Sequence, residues 1–168
     1  GEEVDQDFRK SLYWWEKLAA EDYATAQFNT GLYYAKGAGC RRNFAKAAEW
    51  MARAAQNGDG DAKQLAPVLA EASDNLKKAN EGNAIAQGKM AQLYGYLGGS
   101  MDVAGSETDY KEAFKWAKKA AEKQDPEGLY NLGLCYEHGR GTSADSQKAM
   151  DAYKKAAVKN HAPSQWNL

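Results

Sequence analysis

The chain has 168 residues, of which 43% are hydrophobic and 27% are charged, and its formal net charge is −1. This balance implies no basic face large enough for a phosphate backbone, and no apolar run approaches the roughly 20 residues that cross a bilayer. We therefore expect neither a nucleic-acid partner nor membrane insertion, while the abundant Ala and only 3 Pro favour helix over sheet.

The first predicted element is a helix over Asp7–Asp22, with Asp7 as its N-cap. Its apolar residues share one face, and they are Leu12, Trp15, Leu18 and Ala19. The same chemistry recurs in three later segments, which are Asn43–Gly58, Asp109–Gln124 and Asp145–Asn160. Each begins with a residue that can cap a helix, and each closes with Ala–Ala. Aromatic residues suited to the grooves between helices recur at Trp14, Trp50, Trp116 and, one place later, Tyr153.

A second kind of predicted helix precedes these three segments, and it covers Ala24–Lys36, Ala84–Tyr96 and Pro126–His138. The first and third end in Gly-x-Gly, at Gly37–Gly39 and Gly139–Gly141. Glycine readily adopts the left-handed conformation that terminates a helix. The two kinds alternate as helix A, loop and helix B. Matching positions in consecutive copies, such as Asp109 and Asp145, lie 36 residues apart, which indicates a repeat protein.

Two stretches depart from this repeat. The loop Gly98–Thr108 is six residues longer than its counterparts and rich in Gly and Ser, which is typical of a mobile surface loop. The stretch Asp61–Asn83 is too short for a full repeat. Its apolar residues fit either a short hairpin turning at Ser73–Asn75 or one helix kinked at Pro67. We favour the hairpin, because a single helix would reverse the direction of every later helix.

These units resemble the Sel-1-like repeat, a relative of the tetratricopeptide repeat with a longer, glycine-containing loop. The family pattern reads approximately A-x-A-Q-x-x-L-G-x-x-Y-x-x-G-x-G, then D-x-x-K-A, an aromatic pair and A-A. The first full copy matches it at Ala24, Ala26, Gln27, Gly31, Tyr34, Gly37, Gly39, Lys46, Ala47, Trp50, Ala54 and Ala55. The last copy matches it at Gly133, Tyr136, Gly139, Gly141, Asp145, Lys148, Ala149, Tyr153, Ala156 and Ala157. The middle copy has Ala91 for the helix glycine and Leu97 for the first loop glycine.

The resemblance implies an all-α fold, a right-handed superhelical α/α solenoid of helix–loop–helix repeats, formed as one array over 1–168. Its parts are a helix B of a partial repeat at 7–22, a repeat at 24–59, a shortened repeat at 60–83, a repeat with a loop insertion at 84–125, a repeat at 126–161 and the start of a further helix at 162–168. We expect a fragment of a longer array, or one without a full terminal cap, with Trp166 as an apolar plug.

The chain offers few constellations for catalysis or metal binding. Its 23 Asp and Glu residues fall mostly at helix starts and on outer faces. Cys135 and His138 are neighbours on a helix, but no third group that would orient them is evident, so we do not expect a catalytic pair. We expect Cys40 and Cys135 to be free thiols. No metal-ligand spacing or phosphate loop appears, so we expect neither a metal nor a cofactor.

Binding is the function that the sequence favours. The resemblance implies that helix A lines a concave surface, where residues off the packing face follow an i, i+4, i+7, i+11 stripe. These stripes start at Thr25, Ile85 and Glu127. The candidate binding residues along them are Asn29, Leu32, Lys36, Lys89, Gln92, Tyr96, Asn131, Leu134 and His138. We predict a non-catalytic scaffold that binds a protein or peptide partner there.

Two alternative functions stay open. One is a weak β-lactam-binding hydrolase, as suggested for cysteine-rich bacterial relatives, although those carry paired cysteines in each repeat and this chain does not. The other is a structural spacer in a larger envelope or secreted protein. A solvated groove, with the real contacts on loops or further repeats, is also compatible with the sequence. The partner, the compartment and the oligomeric state stay undetermined at this point.

Overall fold

The computed structural model describes the backbone of residues 2–99 and 106–166 and the side chains of residues 7–97 and 107–164. Within those ranges every regular element is an α-helix. The helices are α1 (Glu2–Ala20), α2 (Ala24–Lys36), α3 (Phe44–Gln56), α4 (Gly60–Asn80), α5 (Ala84–Gly99), α6 (Ser106–Glu122), α7 (Pro126–His138), α8 (Ser146–Val158) and α9 (Ala162–Trp166). The predicted all-α fold of helix–loop–helix repeats is confirmed. None of the described helices is both long and apolar enough to cross a membrane.

The chain forms two compact units, Gly1–Asp74 and Asn75–Leu168, and their boundary falls within α4. In the first unit, α2 packs against both α1 and α3. In the second unit, α5 packs against α6 and α7, α7 packs against α6 and α8, and α9 packs against α8. The helices A of the two full repeats, α2 and α7, therefore each contact the helix B before and the helix B after.

Five predicted helix ends are confirmed. Asn43 and Asp145 cap α3 and α8, and each side chain accepts a hydrogen bond of 3.0 Å from the amide three residues later. Pro126 occupies the first turn of α7, where its missing N–H costs nothing. Gly37 and Gly139 end α2 and α7 with φ of +74° and +65°. That left-handed conformation carries no side-chain penalty in glycine.

Two other predicted N-caps are wrong. α1 begins at Glu2 and α6 begins at Ser106, so Asp7 and Asp109 lie inside helices. Acidic residues such as Glu107 precede each of them, and the helix dipole favours acidic side chains throughout a first turn. An Asp near a helix start therefore does not fix where that helix begins.

The hairpin favoured for Asp61–Asn83 is also wrong, because α4 is one continuous helix. Its apolar stripe passes through Ser73–Asn75 without losing register. The buried members are Ala62, Ala72 and Ala79, and the half-buried members are Leu65, Leu69 and Leu76. A turn within this stripe would break that helical spacing. Pro67 lies inside this helix, on its exposed side. An interior proline costs about 3 kcal/mol, but here it does not end the helix.

Helix A of the middle copy ends later than predicted, because α5 runs past Tyr96 to Gly99. The first copy ends this helix at Gly37, but the matching residue here is Leu97, which resists the left-handed conformation. The predicted loop Gly98–Thr108 is therefore helical at both ends. Its central residues 100–105 lie outside the described residues, and so does the side chain of the expected plug, Trp166.

Small residues on helix A let it lie close to the helix B of the same repeat. A Cβ added to Gly31 would lie 3.0 Å from the side chain of Met51, and one added to Gly133 would collide with the ring of Tyr153. Tyr153 and Trp116 are buried and Trp50 is half-buried, which is compatible with groove filling. Trp14, at the matching position of α1, is instead 61% exposed.

A buried glutamine ties each of two helices A to the helix before it. Gln27 donates through Nε2 to the carbonyl of Ala19 at 3.2 Å, and Gln87 donates to the carbonyl of Ala79 at 3.0 Å. The Oε1 of Gln27 also accepts a hydrogen bond of 2.9 Å from Asn57. Among the described residues, the Oε1 of Gln87 receives none.

Candidate functional site

The three candidate residues of α2 lie in the first unit. Lys36 is exposed, and Asn29 is half-buried with its Nδ2 donating to the Thr25 carbonyl at 3.0 Å. Leu32 is half-buried too, but it packs against the core cluster that contains Met51. Much of the Leu32 side chain is therefore packed in the core, whereas Lys36 is exposed to solvent.

The three candidate residues of α5 are all exposed. Lys89 and Gln92 lie on the surface, and Tyr96 is 78% exposed. Ile85, three turns before Tyr96 on the same face, is 65% exposed. The side chains of this stripe on α5 are therefore accessible from solvent.

The three candidate residues of α7 differ in burial. Asn131 is only 8% exposed, Leu134 is half-buried, and His138 is exposed with its Nε2 3.9 Å from the Glu137 carboxylate. The Nδ2 of Asn131 donates to the carbonyl and to the Oε1 of Glu127, both at 2.9 Å. Both partners are acceptors, so the orientation of the Asn131 carboxamide is set by the hydrogen bonds that it makes.

Four of the nine candidate residues meet at one cavity in the second unit, and they are Gln92, Tyr96, Asn131 and Leu134. This cavity, which we name the α5–α7 cavity, has a volume of about 240 Å³ and lies between α5, α6 and α7. Ala91 and Ala113 contribute only methyl groups to its lining, which leaves room between the helices. The helical spacing of Gln92 and Tyr96 brings them to the same edge.

Sequence reasoning missed three polar residues of this lining, which are Tyr110, Tyr130 and Arg140. Arg140 is the middle residue of the Gly-x-Gly exit from α7, a motif that we interpreted only as a helix end. Gly141 has a φ of +68°, and a Cβ added to it would collide with the backbone of Tyr110. The loop is thereby held on the first turns of α6, next to the cavity. The residue between the two glycines of this motif varies between copies, and that variation was the signal available in the sequence.

The charge of the α5–α7 cavity comes from Arg140. Its guanidinium carbon lies 5.2 Å from the centroid of the Tyr110 ring, a cation–π arrangement that favours one side-chain position. Arg140 is half-buried, and the other described lining residues carry no formal charge. Cys135 is also a lining residue, and burial raises the pKa of its thiol to about 11, against the opposing influence of Arg140.

A Ser–His–Glu arrangement connects α9 to α7. The Nδ1 of His161 lies 2.9 Å from the Oγ of Ser164, and its Nε2 lies 3.1 Å from the Oε2 of Glu127. The His161 ring also lies 4.8 Å from the ring of Tyr130. The set has the members of a catalytic triad, but Ser164 is completely buried, so a substrate cannot reach its hydroxyl. The three residues act as a tether between helices.

Among the described residues, the thiols and carboxylates give no second site. Cys40 and Cys135 are free thiols, and burial is the main cause that raises the pKa of each. A raised pKa lowers the thiolate fraction at neutral pH and so works against nucleophilic chemistry. In the described part of the chain, no cluster of three or more His, Cys, Asp or Glu residues is suited to holding a metal ion.

The helix pairs, their glycine-containing loops and an exposed helix A define a helical repeat protein of the solenoid class. A model of the Sel1 repeat matches residues 1–23, 24–59, 84–125 and 126–161, and the chain belongs to the Sel1 repeat family. The resemblance seen in the sequence is thus confirmed. Proteins of this family generally act as non-enzymatic scaffolds that bind other proteins.

Two curated relatives resemble nearly all of this chain. The uncharacterized protein NMB1327 of Neisseria meningitidis serogroup B is 30% identical over 158 residues, which cover 90% of this chain and 32% of that protein. DAP3-binding cell death enhancer 1 of Rattus norvegicus is 27% identical over 175 residues, which cover 96% of this chain and 33% of that protein. The chain therefore spans about a third of the length of these relatives.

The fold is also found among solved structures. The chain is similar to c5321, a protective antigen present in uropathogenic Escherichia coli strains that displays an SLR fold. The TM-score is 0.51 and the sequence identity is 27%, over 95% of this chain and 36% of that one. This similarity supports the assignment of the repeat fold.

Proposed function

We propose that the chain is a non-catalytic scaffold that binds a protein or peptide partner along the concave face formed by its helices A. The residues involved form two patches, one in each unit. The α2 patch comprises Asn29, Leu32 and Lys36. The α5–α7 patch comprises Lys89, Gln92, Tyr96, Asn131, Leu134 and His138. The general role of the family supports a protein as the partner.

The observation that carries the site is the exposure of Tyr96 at the rim of the α5–α7 cavity. A tyrosine offers a large apolar area with few rotamers to lose, so it is an effective anchor when a partner covers it. Burying its ring beneath a partner is worth about 2 kcal/mol. The neighbouring amides of Gln92 and Asn131 suit a peptide backbone, which presents both donors and acceptors.

One relative supports a protein ligand by its name. The rat protein, which is similar to 96% of this chain, carries DAP3-binding in its name. For the present chain the partner stays unnamed, because the similarity covers about a third of that relative.

Affinity capture tests the proposal. The purified chain is immobilised, and proteins retained from an extract of its source cells are quantified by mass spectrometry. We expect Tyr96→Ala to lower the retained partner at least tenfold, which corresponds to a loss of about 1.4 kcal/mol. The matched control is Val158→Ala, because Val158 is 84% exposed on the helix B α8. Equal capture by wild type and Tyr96→Ala, or a loss confined to Val158→Ala, would contradict the assignment to helix A.

A further inference from the structure

The α5–α7 cavity is chemically asymmetric, and that asymmetry indicates what kind of segment fits it. We propose that it binds a peptide segment of a protein partner in which a large apolar residue stands beside an Asp or Glu. This inference rests on the proposed function, because it specifies the partner chemistry at the same patch. Three features of the cavity carry it: its size, its single charge and the fixed amide of Asn131.

The size of the cavity suits one side chain. Its volume of about 240 Å³ lies below the roughly 300–1,000 Å³ of pockets that take drug-sized ligands. The methyl groups of Ala91 and Ala113 and the side chain of Leu134 provide an apolar lining. A Leu, Met or Phe of a partner would leave water and contact these groups, which is favourable in proportion to the apolar area removed from solvent.

The charge of the cavity selects a carboxylate. Arg140 is the charged residue of the described lining, and no Asp or Glu belongs to that lining. The Tyr110 ring orients the guanidinium without neutralising it. A guanidinium presents a fork of N–H donors that matches a carboxylate with two parallel hydrogen bonds. An acidic side chain next to the apolar anchor would therefore be attracted, whereas a basic one would be repelled.

The third feature is the carboxamide of Asn131. Its Nδ2 is occupied by two hydrogen bonds to Glu127, which leaves Oδ1 as the group that this residue can offer to a ligand. A backbone N–H of a bound peptide is the complementary donor. Because Asn131 is almost completely buried, its position is set by packing before a ligand arrives.

Selection from a phage-displayed library of random dodecapeptides on the immobilised full chain tests this inference. We expect enriched peptides to share an apolar residue adjacent to Asp or Glu. Their affinities, measured by fluorescence anisotropy of the synthetic peptides, should fall at least tenfold when Asp or Glu is replaced by Lys. With Arg140→Glu this preference should reverse, and with Arg140→Gln it should disappear. Lys155→Glu, an equal charge change on the exposed face of α8, should leave the preference intact.

Circular dichroism of each variant checks that the helices are retained, and Arg140→Gln serves if the reversed charge disturbs folding. Absence of enriched peptides, enrichment of basic peptides, or acidic peptides that bind Arg140→Glu as tightly as wild type would each overturn the inference. These results are distinguishable from failure of the proposed function. Partner capture that depends on Tyr96 but not on Arg140 would leave the scaffold role in place and exclude selection of an acidic segment by Arg140.

Discussion

At the scale of single residues, the same repeat position is occupied by a buried residue in one copy and by a cavity-lining residue in another. Between its two loop glycines the first full copy has Ala38, which is buried, whereas the last copy has Arg140, which lines a cavity. The second loop glycine of each copy lies close to the backbone of a helix B. Gly39 approaches the backbone of Phe8, and Gly141 approaches the backbone of Tyr110. Glycine is required there by a close approach, and the residue between the glycines is free to specialise.

Substitution of the two glycines in the last copy separates conformational strain from collision. Both have φ near +65°, but a Cβ on Gly141 would collide with the carbonyl of Tyr110, whereas one on Gly139 meets nothing closer than 3.3 Å. We expect Gly139→Ala to lower the free energy of unfolding by about 1 kcal/mol and Gly141→Ala by about 3 kcal/mol or more. Urea denaturation measures both values. Equal losses would mean that the loop does not rest on α6 as described.

The thiol of Cys135 predicts a dependence of stability on alkaline pH. Its pKa is raised from 9.0 to about 11 in the folded chain, so below pH 9 both folded and unfolded states hold the proton. Between pH 9 and 11 only the unfolded state ionises, which favours unfolding as pH rises. We expect wild type to lose about 2 kcal/mol more than Cys135→Ala between pH 8 and pH 10.5 in urea denaturation. Identical losses in the two proteins would contradict the burial of this thiol.

At the scale of elements, patterns within one helix were predictable and relations between helices were less so. The caps Asn43 and Asp145 and the ends at Gly37 and Gly139 follow from local hydrogen bonding and backbone preference. The form of α4 did not follow from turn residues, because Ser73–Asn75 also tolerate a helix when flanking apolar residues continue their spacing. Tertiary burial of that stripe outweighs the weak turn preference.

The continuity of α4 is tested by a proline at the position where the hairpin was expected. Asp74 is exposed in the helix interior, so Asp74→Pro should remove one helical hydrogen bond and lower the free energy of unfolding by about 3 kcal/mol. Asp74→Ala is the matched control, since it loses the same side chain and keeps the backbone N–H. We expect that control to stay within about 0.5 kcal/mol of wild type. A chain that tolerates proline as well as alanine there would have a turn at this place.

The candidate site was predictable in part, for a reason that also lies between elements. Helical spacing and the resemblance predict that Gln92 and Tyr96 share one face of α5. They likewise predict that Asn131 and Leu134 share one face of α7. Their meeting at a cavity depends on how α5, α6 and α7 pack, which no single stripe encodes. Leu32 occupies the equivalent stripe in α2, yet it packs towards Met51. Stripe position alone therefore does not separate binding residues from core residues.

At the scale of the whole molecule, the family matches fall into two blocks, 1–59 and 84–161, and the stretch between them is occupied by α4. The boundary between the two compact units lies in the same helix. Each unit thus contains at least one pair of helix A and helix B, and each carries one of the proposed patches. Because stability in such arrays comes mainly from neighbouring helices, surface changes in one patch should leave the other patch folded.

Site-specific photo-crosslinking tests the central claim, that partners bind through helix A, most directly. A benzophenone side chain is placed at Gln92 on α5, or at Lys36 on α2, and control proteins carry it at the exposed helix B positions Lys118 and Lys155. After irradiation in an extract of the source cells, crosslinked proteins are identified by mass spectrometry. We expect a specific partner to be linked from Gln92, Lys36 or both, and from neither control. A partner linked only from Lys118 or Lys155 would contradict binding through helix A.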